Sequence, residues 1–88
     1  MFEWDEDKRQ ANIVKHNFDF ADAEKLFLGH TFTFEDERDY EETRFVTIGM
    51  LSIYSVVIIH TENEDVTRII SMRLATKYER NLYSQSLE

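Results

Sequence analysis

Arg68-Ile69-Ile70-Ser71-Met72-Arg73-Leu74-Ala75-Thr76-Lys77-Tyr78-Glu79-Arg80 reads as a strand that runs into a capped helix. Residues 66–73 have strand character. By simple alternation, Arg68, Ile70 and Met72 share one face, and Ile69, Ser71 and Arg73 share the other. Thr76 and Glu79 then match a capping box, worth about 1 kcal/mol to a helix start. Tyr78 and Leu82 lie four apart, so they are expected to pack on one face of that helix. The segment also gathers charge. Residues 67–83 carry a net +3 in a chain of net −8, which leaves −11 for the remainder. Cations concentrated in this way imply an anionic partner for that surface.

The preceding residues extend the strand pattern upstream. Residues 54–61 are apolar on both faces, with Val56 and Ile58 on one and Val57 and Ile59 on the other. That marks an interior strand covered on both sides. Thr61-Glu62-Asn63-Glu64-Asp65 is a polar turn before the final strand, and Ser52-Ile53 is a shorter turn before the interior one. Arg44, Val46, Ile48 and Met50 alternate with Phe45, Thr47, Gly49 and Leu51, which gives another strand. His30, Phe32 and Phe34 alternate with Thr31, Thr33 and Glu35, which gives one more. Between these two lies Glu35-Asp36-Glu37-Arg38-Asp39-Tyr40-Glu41-Glu42, a charged hairpin loop with six acids.

The first thirty residues have helical periodicity. Phe2-Glu3-Trp4 is a short strand, and Asp5 is the expected N-cap of a helix ending at Lys15-His16. Glu6 and Asp7 at its start and Lys15 and His16 at its end suit the helix dipole. Ala11 and Val14 are expected to face inward, with Ile13 at the edge of the stripe. Asn17 suits the left-handed residue that stops the helix. Asp19 caps a second helix whose stripe is Phe20, Ala23, Leu26 and Phe27, and Gly29 ends it. The order is β-α-α-β-β-β-β-α. Short connections favour an α+β fold: an antiparallel sheet of four to five strands, an N-terminal helical hairpin and a C-terminal helix.

Composition bounds the function. Eighty-eight residues make one domain, spanning 1–88. No apolar run approaches the roughly 18–20 residues of a membrane span. The acidic start lacks a signal-peptide core, so a cytoplasmic location is expected. Cysteine is absent, which removes disulfides and thiolate metal sites. Three histidines have no metal-ligand spacing, and the acidic loop matches no calcium loop. No cofactor or metal is expected. A net −8 repels polyanions in general, yet screening over about 8 Å leaves room for a local basic site.

Five pieces in register resemble the BrnT family of ribonuclease toxins from type II toxin–antitoxin systems. They are Phe2-x-Trp4-Asp5-x-x-Lys8-x-x-x-Asn12-x-x-Lys15-His16, then Phe20-x-x-Ala23, Asp39-Tyr40 and Arg44-Phe45-x-x-Ile48-Gly49. The last is Arg68-Ile69-Ile70-Ser71-x-Arg73-x-Ala75-Thr76-x-x-Glu79-Arg80. The chain departs from the family pattern at Asn17 and near Ile53, where glycine is usual. The resemblance implies a RelE-like fold and RNA cleavage without metal, which would inhibit translation and arrest bacterial growth. It also implies neutralisation by a BrnA-type ribbon-helix-helix antitoxin, and leaves open a homodimer or a heterotetramer with that antitoxin.

Metal-free RNA cleavage needs a base for the 2′-hydroxyl, an acid for the leaving oxygen, and cations for the phosphorane charge. Arginine matches phosphate oxygens in two places, and histidine titrates near neutrality. The candidate catalytic residues are therefore Lys15, His16, Arg68 and Arg73, with Arg44, Lys77, Tyr78 and Arg80 as substrate contacts. Each has a plainer reading. Lys15 and His16 complement a helix dipole, Arg73 forms an ion pair beside the helix start, and Tyr78 packs with Leu82. His60 reads as a structural histidine and His30 as an exposed one. Arg68 and Arg73 differ by five positions, so on a regular strand they face opposite sides. They serve one site only if the strand bulges or ends before Arg73. A different class of function remains: a non-catalytic interaction module that binds an antitoxin and leaves RNA intact. A nucleic-acid-binding regulator fits the acidic charge poorly. The acidic loop 35–42 is either a solvated hairpin or a surface that meets basic residues of the antitoxin.

Overall fold

The computed structural model describes residues 1–38 and 41–88. Its elements are β1 (Phe2–Trp4), α1 (Glu6–His16), a 3-10 turn (Phe20–Asp22), α2 (Ala23–Leu28), β2 (Phe32–Asp36), β3 (Arg44–Leu51), β4 (Tyr54–Asn63), β5 (Val66–Leu74) and α3 (Lys77–Ser86). This is the expected α+β order. The Asp39-Tyr40 motif lies outside the described residues, and so does the centre of the acidic hairpin loop.

Strands β2 to β5 form an antiparallel meander, and the sheet order is β1-β5-β4-β3-β2. The sheet is mixed rather than wholly antiparallel, because β1 lies parallel to β5. The two strands are separated by nearly the whole chain, so no tight turn forces them antiparallel. The ammonium of Met1 donates to Asp65 O and Thr67 N donates to Met1 O, which holds the start of β1 in place.

Both faces of the sheet are covered. On one, Phe20, Ala23 and Leu26 pack on Val56, Ile58, Ile69 and Met72, with Trp4 and Phe27 at the margin. On the other, Leu82 and Tyr83 of α3 pack with Val46, Ile48, Val57, Ile59, Phe32 and Phe34. This explains why β4 is apolar on both faces. Gly49 permits the close approach of α2: a Cβ there would lie 2.7 Å from Leu26 Cδ2.

Local signals explain the helix ends. Asp5 accepts from the backbone N–H of Asp7 and Lys8, and Asn17 adopts the left-handed conformation with φ 62°. Thr76 and Glu79 form the reciprocal capping box. The inward face of α1 differs from expectation: Val14 is 89% exposed and Ala11 is exposed, whereas Asn12 is buried. Asn12 Nδ2 donates to Phe18 O and Met72 O at 2.9 and 3.0 Å, and Met72 N donates to Asn12 Oδ1 at 3.1 Å. β1 pairs with β5 only as far as Ile69. Beyond it, one side-chain amide takes the place of a neighbouring strand and satisfies both backbone groups of Met72. Polar complementarity therefore docks α1 here, and no apolar stripe is needed.

The decisive irregularity is in β5. Ser71 faces Ile59 and Ile69 faces His60, so Ile70 has no facing residue and the strand bulges. The alternation reverses across the bulge. Arg68 faces Thr61 and Arg73 faces Val57, positions four apart on β4, so the two arginines lie on the same face of the sheet. The expectation that Arg68 shares a face with Met72 is thus corrected by one extra residue.

Candidate functional site

Arg68 and Arg73 bracket the bulge on the α3 side of the sheet. Four strand positions at about 3.3 Å each put their backbones roughly 13 Å apart, a span that two arginine side chains can bridge toward one phosphate. Their partners differ. Arg68 pairs with Glu3 on the neighbouring strand, and both side chains are more than 40% exposed. Arg73 holds Glu79 with two nitrogens, at 2.7 and 2.9 Å, and the Glu79 side chain is nearly buried. The hydrogen bonds from Arg73 lower Glu79 to a pKa of about 2, and the same pairing raises Arg73. Arg73 therefore has the plainer role foreseen for it, an ion pair at the helix start, and is held rigid by it.

Lys15 and His16 lie elsewhere on the same strand's margin. With Lys8, Ala11, Asn12, Ile70 and Ser71 they line a shallow groove of about 190 Å³ between α1 and the bulge. The bulge residues Ile70 and Ser71 thus form one wall of the groove and also separate Arg68 from Arg73 along β5. Among the described residues, Lys8, Lys15 and His16 have no acidic partner. By contrast Arg9 is bound to Glu6 and Asp19, and Lys25 to Asp22.

The remaining candidates divide. Arg44 faces Asp36 on β2 and belongs to the same sheet face as Arg68. Lys77 and Arg80 are exposed in the first turn of α3, and Arg80 Nη1 donates to Ala75 O at 3.1 Å. Tyr78 does not pack with Leu82. It is 71% exposed, because the packed stripe of α3 runs through Glu79, Leu82, Tyr83 and Ser86. These three side chains stand beside Arg73 in sequence but do not line the groove.

The histidines fall into separate environments. His60 is buried, with Nε2 2.7 Å from Thr47 Oγ1 and the ring stacked on Phe45. Its Nδ1 lies 3.0 Å from Glu62 Oε1 but is poorly aligned for a hydrogen bond. Burial lowers its pKa, and Glu62 partly opposes that. His30 is exposed and touches Ser86. Sequence reasoning passed over Lys8 and Arg38 as site candidates. The charge of Arg38 is close enough to Arg73 to disfavour protonation of the latter. Lys8 had one legible signal, since it sits in the first turn of α1, where the helix dipole disfavours a cation.

The arrangement offers cations on two sides of a strand irregularity, and one half-buried imidazole. Side chains of these types can bind a phosphate and exchange protons with its neighbours. Among the described residues no three His, Asp or Glu side chains gather as metal ligands, and no helix is long and apolar enough to cross a membrane. No curated protein matches the chain. A family model described as "Ribonuclease toxin, BrnT, of type II toxin-antitoxin system" matches residues 4–79.

Proposed function

We propose that this chain, which belongs to the BrnT family of ribonuclease toxins of type II toxin–antitoxin systems, cleaves RNA without a metal ion, at the surface around the β5 bulge. The observation that carries this reading is the bulge at Ile70, because it turns Arg68 and Arg73 to one face. In this reading His16, which lines the groove beside the same bulge, accepts the proton of a 2′-hydroxyl. The 2′-oxygen attacks phosphorus and the bond to the 5′-oxygen breaks. The leaving oxygen takes a proton from a second donor, with Lys15 as the candidate. The products are a 2′,3′-cyclic phosphate and a 5′-hydroxyl. Arg68 and Arg73 neutralise the phosphorane charge, and Arg44, Lys77, Tyr78 and Arg80 contact the flanking nucleotides.

In the cell such cleavage would block translation, in the cytoplasm, until a BrnA-type antitoxin binds. The exposed acidic residues Glu35 and Glu37 at the end of β2 suit contact with a basic surface of that antitoxin. The test is degradation of several RNAs by wild type and by Arg68→Ala and His16→Ala, with and without EDTA. Arg68 pairs with Glu3 on an exposed edge, a pairing worth about 0–1 kcal/mol, so Arg68→Ala remains folded. Cleavage in EDTA that is lost in both variants is expected. A folded wild type that binds antitoxin but leaves every RNA intact would establish the non-catalytic module instead. That outcome has one structural point in its favour: both arginines are already paired with carboxylates.

A further inference from the structure

The groove between α1 and the β5 bulge is lined by two lysines seven residues apart, Lys8 and Lys15, on one face of the helix. Seven residues span roughly 10 Å of helix axis, so the two ammonium groups can reach successive phosphates of an extended strand. Lys8 has no structural task that explains it. It occupies the first turn, where the helix dipole disfavours a cation, and it has no acidic partner among the described residues. Of the neighbouring acids, Asp5 accepts from the helix backbone and Glu6 is bound by Arg9 and Gln10, and no acid pairs with Lys8 among the described residues. The groove floor is fixed, because Asn12 between the lysines is bonded to both backbone groups of Met72.

We propose that Lys8 and Lys15 form a phosphate-binding strip for single-stranded RNA, in which Lys8 holds the phosphate next to the one that is cleaved. This rests on the ribonuclease reading and adds a substrate-positioning residue to it. The strip places the strand along α1 so that the neighbouring linkage lies over Ser71 and His16. Lys8 then contributes equally to ground-state and transition-state binding, so its loss raises KM and leaves kcat nearly unchanged.

The test uses a short labelled RNA carrying 2′-O-methyl groups, which cannot be cleaved by this route, and reads binding by fluorescence anisotropy over a salt series. Lys8→Ala is expected to weaken binding about 5- to 10-fold at low salt and to reduce the salt slope by about 0.7, the value for one phosphate contact on a single strand. Lys8→Arg should stay within about 3-fold of wild type, because it keeps the charge. Lys25→Ala removes the same charge from α2, outside the groove lining, and should change the affinity by less than about 2-fold if location matters more than net charge. In cleavage of unmodified RNA, Lys8→Ala should raise KM alone. Wild-type binding that Lys8→Ala leaves unchanged, or that Lys25→Ala weakens equally, would overturn the strip while leaving the ribonuclease reading intact. A folded wild type with no affinity for the oligonucleotide and no cleavage would overturn both.

Discussion

Asn12→Ala removes the side chain that closes the open edge of β5. The amide makes three hydrogen bonds, to Phe18 O, Met72 O and Met72 N. Alanine leaves the buried Met72 N–H without an acceptor, at a cost of about 1–3 kcal/mol, and forfeits the two donated bonds at roughly 0.5–1 kcal/mol each. A loss of about 3 kcal/mol is therefore expected. A domain of this size has about 4–13 kcal/mol in total, so the change is large but survivable. At about 4–8 °C per kcal/mol, Tm should fall by roughly 12–24 °C. Urea unfolding followed by circular dichroism should show a lower midpoint with an unchanged slope. Hydrogen exchange at the Met72 amide should accelerate more than at Ile58, whose strand lies in the sheet interior. Asn12→Asp is an internal control. It keeps the acceptor for Met72 N–H but sets a carboxylate against two carbonyl oxygens, so it should match or exceed the alanine loss at neutral pH and recover partly on acidification. A loss below about 0.5 kcal/mol in Asn12→Ala, with unchanged exchange at Met72, would refute the edge-closing role.

Three further outcomes follow from single contacts. Gly49→Ala puts a methyl 2.7 Å from Leu26 Cδ2, where Leu26 is fully buried, and should cost about 1–3 kcal/mol; Leu26→Ala in the same chain should offset part of that, and strict additivity would refute the clash. Glu79 is depressed from 4.5 to about 2, so its contribution is complete above pH 4.5 and lost as pH falls toward 2. At about 1.4 kcal/mol per pH unit its upper bound is roughly 3 kcal/mol, reduced by solvent screening of this partly exposed pair, and Glu79→Gln should flatten the acid limb of the stability profile. His60 is held below its ordinary 6.5 mainly by burial, so the fold is most stable with the ring neutral, and stability falls as pH drops below 6.5. Urea midpoints that do not change between about pH 7.5 and 5.5 would contradict that, and His60→Gln should lack the slope.

Elements whose signals are local were legible in the sequence. The Asp5 cap, the left-handed Asn17 and the Thr76–Glu79 capping box each depend on residues within a few positions, and each is realised. What depended on partners far along the chain was not legible. The inward face of α1 was misread because its docking residue is polar, and Asn12 meets Met72 sixty positions away. The parallel pairing of β1 with β5 is likewise a long-range choice between two edges. Tyr78 was misplaced by one helical step, since a four-residue spacing to Leu82 fits two stripes and only the sheet decides between them. Of the candidate site, the residue types were legible and their faces were not. A single unpaired residue, Ile70, reverses the alternation that any strand reading assumes. The possibility of a bulge was visible only as a condition for Arg68 and Arg73 to act together.

The two arginines, once on one face, are not equivalent, and their partners decide the difference. The Arg68–Glu3 pair is exposed on both sides, so a phosphate can replace the carboxylate at little cost. The Arg73–Glu79 pair is bidentate, and its carboxylate also accepts from the backbone N–H of Thr76 to close the capping box. Releasing Glu79 from Arg73 would loosen the start of α3, so Arg73 offers RNA only its remaining N–H groups while staying where it is. Both pairs are close to neutral as units. The uncompensated positive charge beside the bulge therefore comes from α1, through Lys8 and Lys15, and under the proposed function it is this charge that attracts RNA to a protein of net −8. Attraction by lysines and short-range grip by arginines predict different kinetic behaviour. Removing Lys8 should weaken binding and reduce the slope of affinity against salt with the cleavage rate of bound RNA nearly unchanged, whereas Arg68→Ala should also lower that cleavage rate, because its guanidinium is assigned to the charge that develops on the cleaved phosphate.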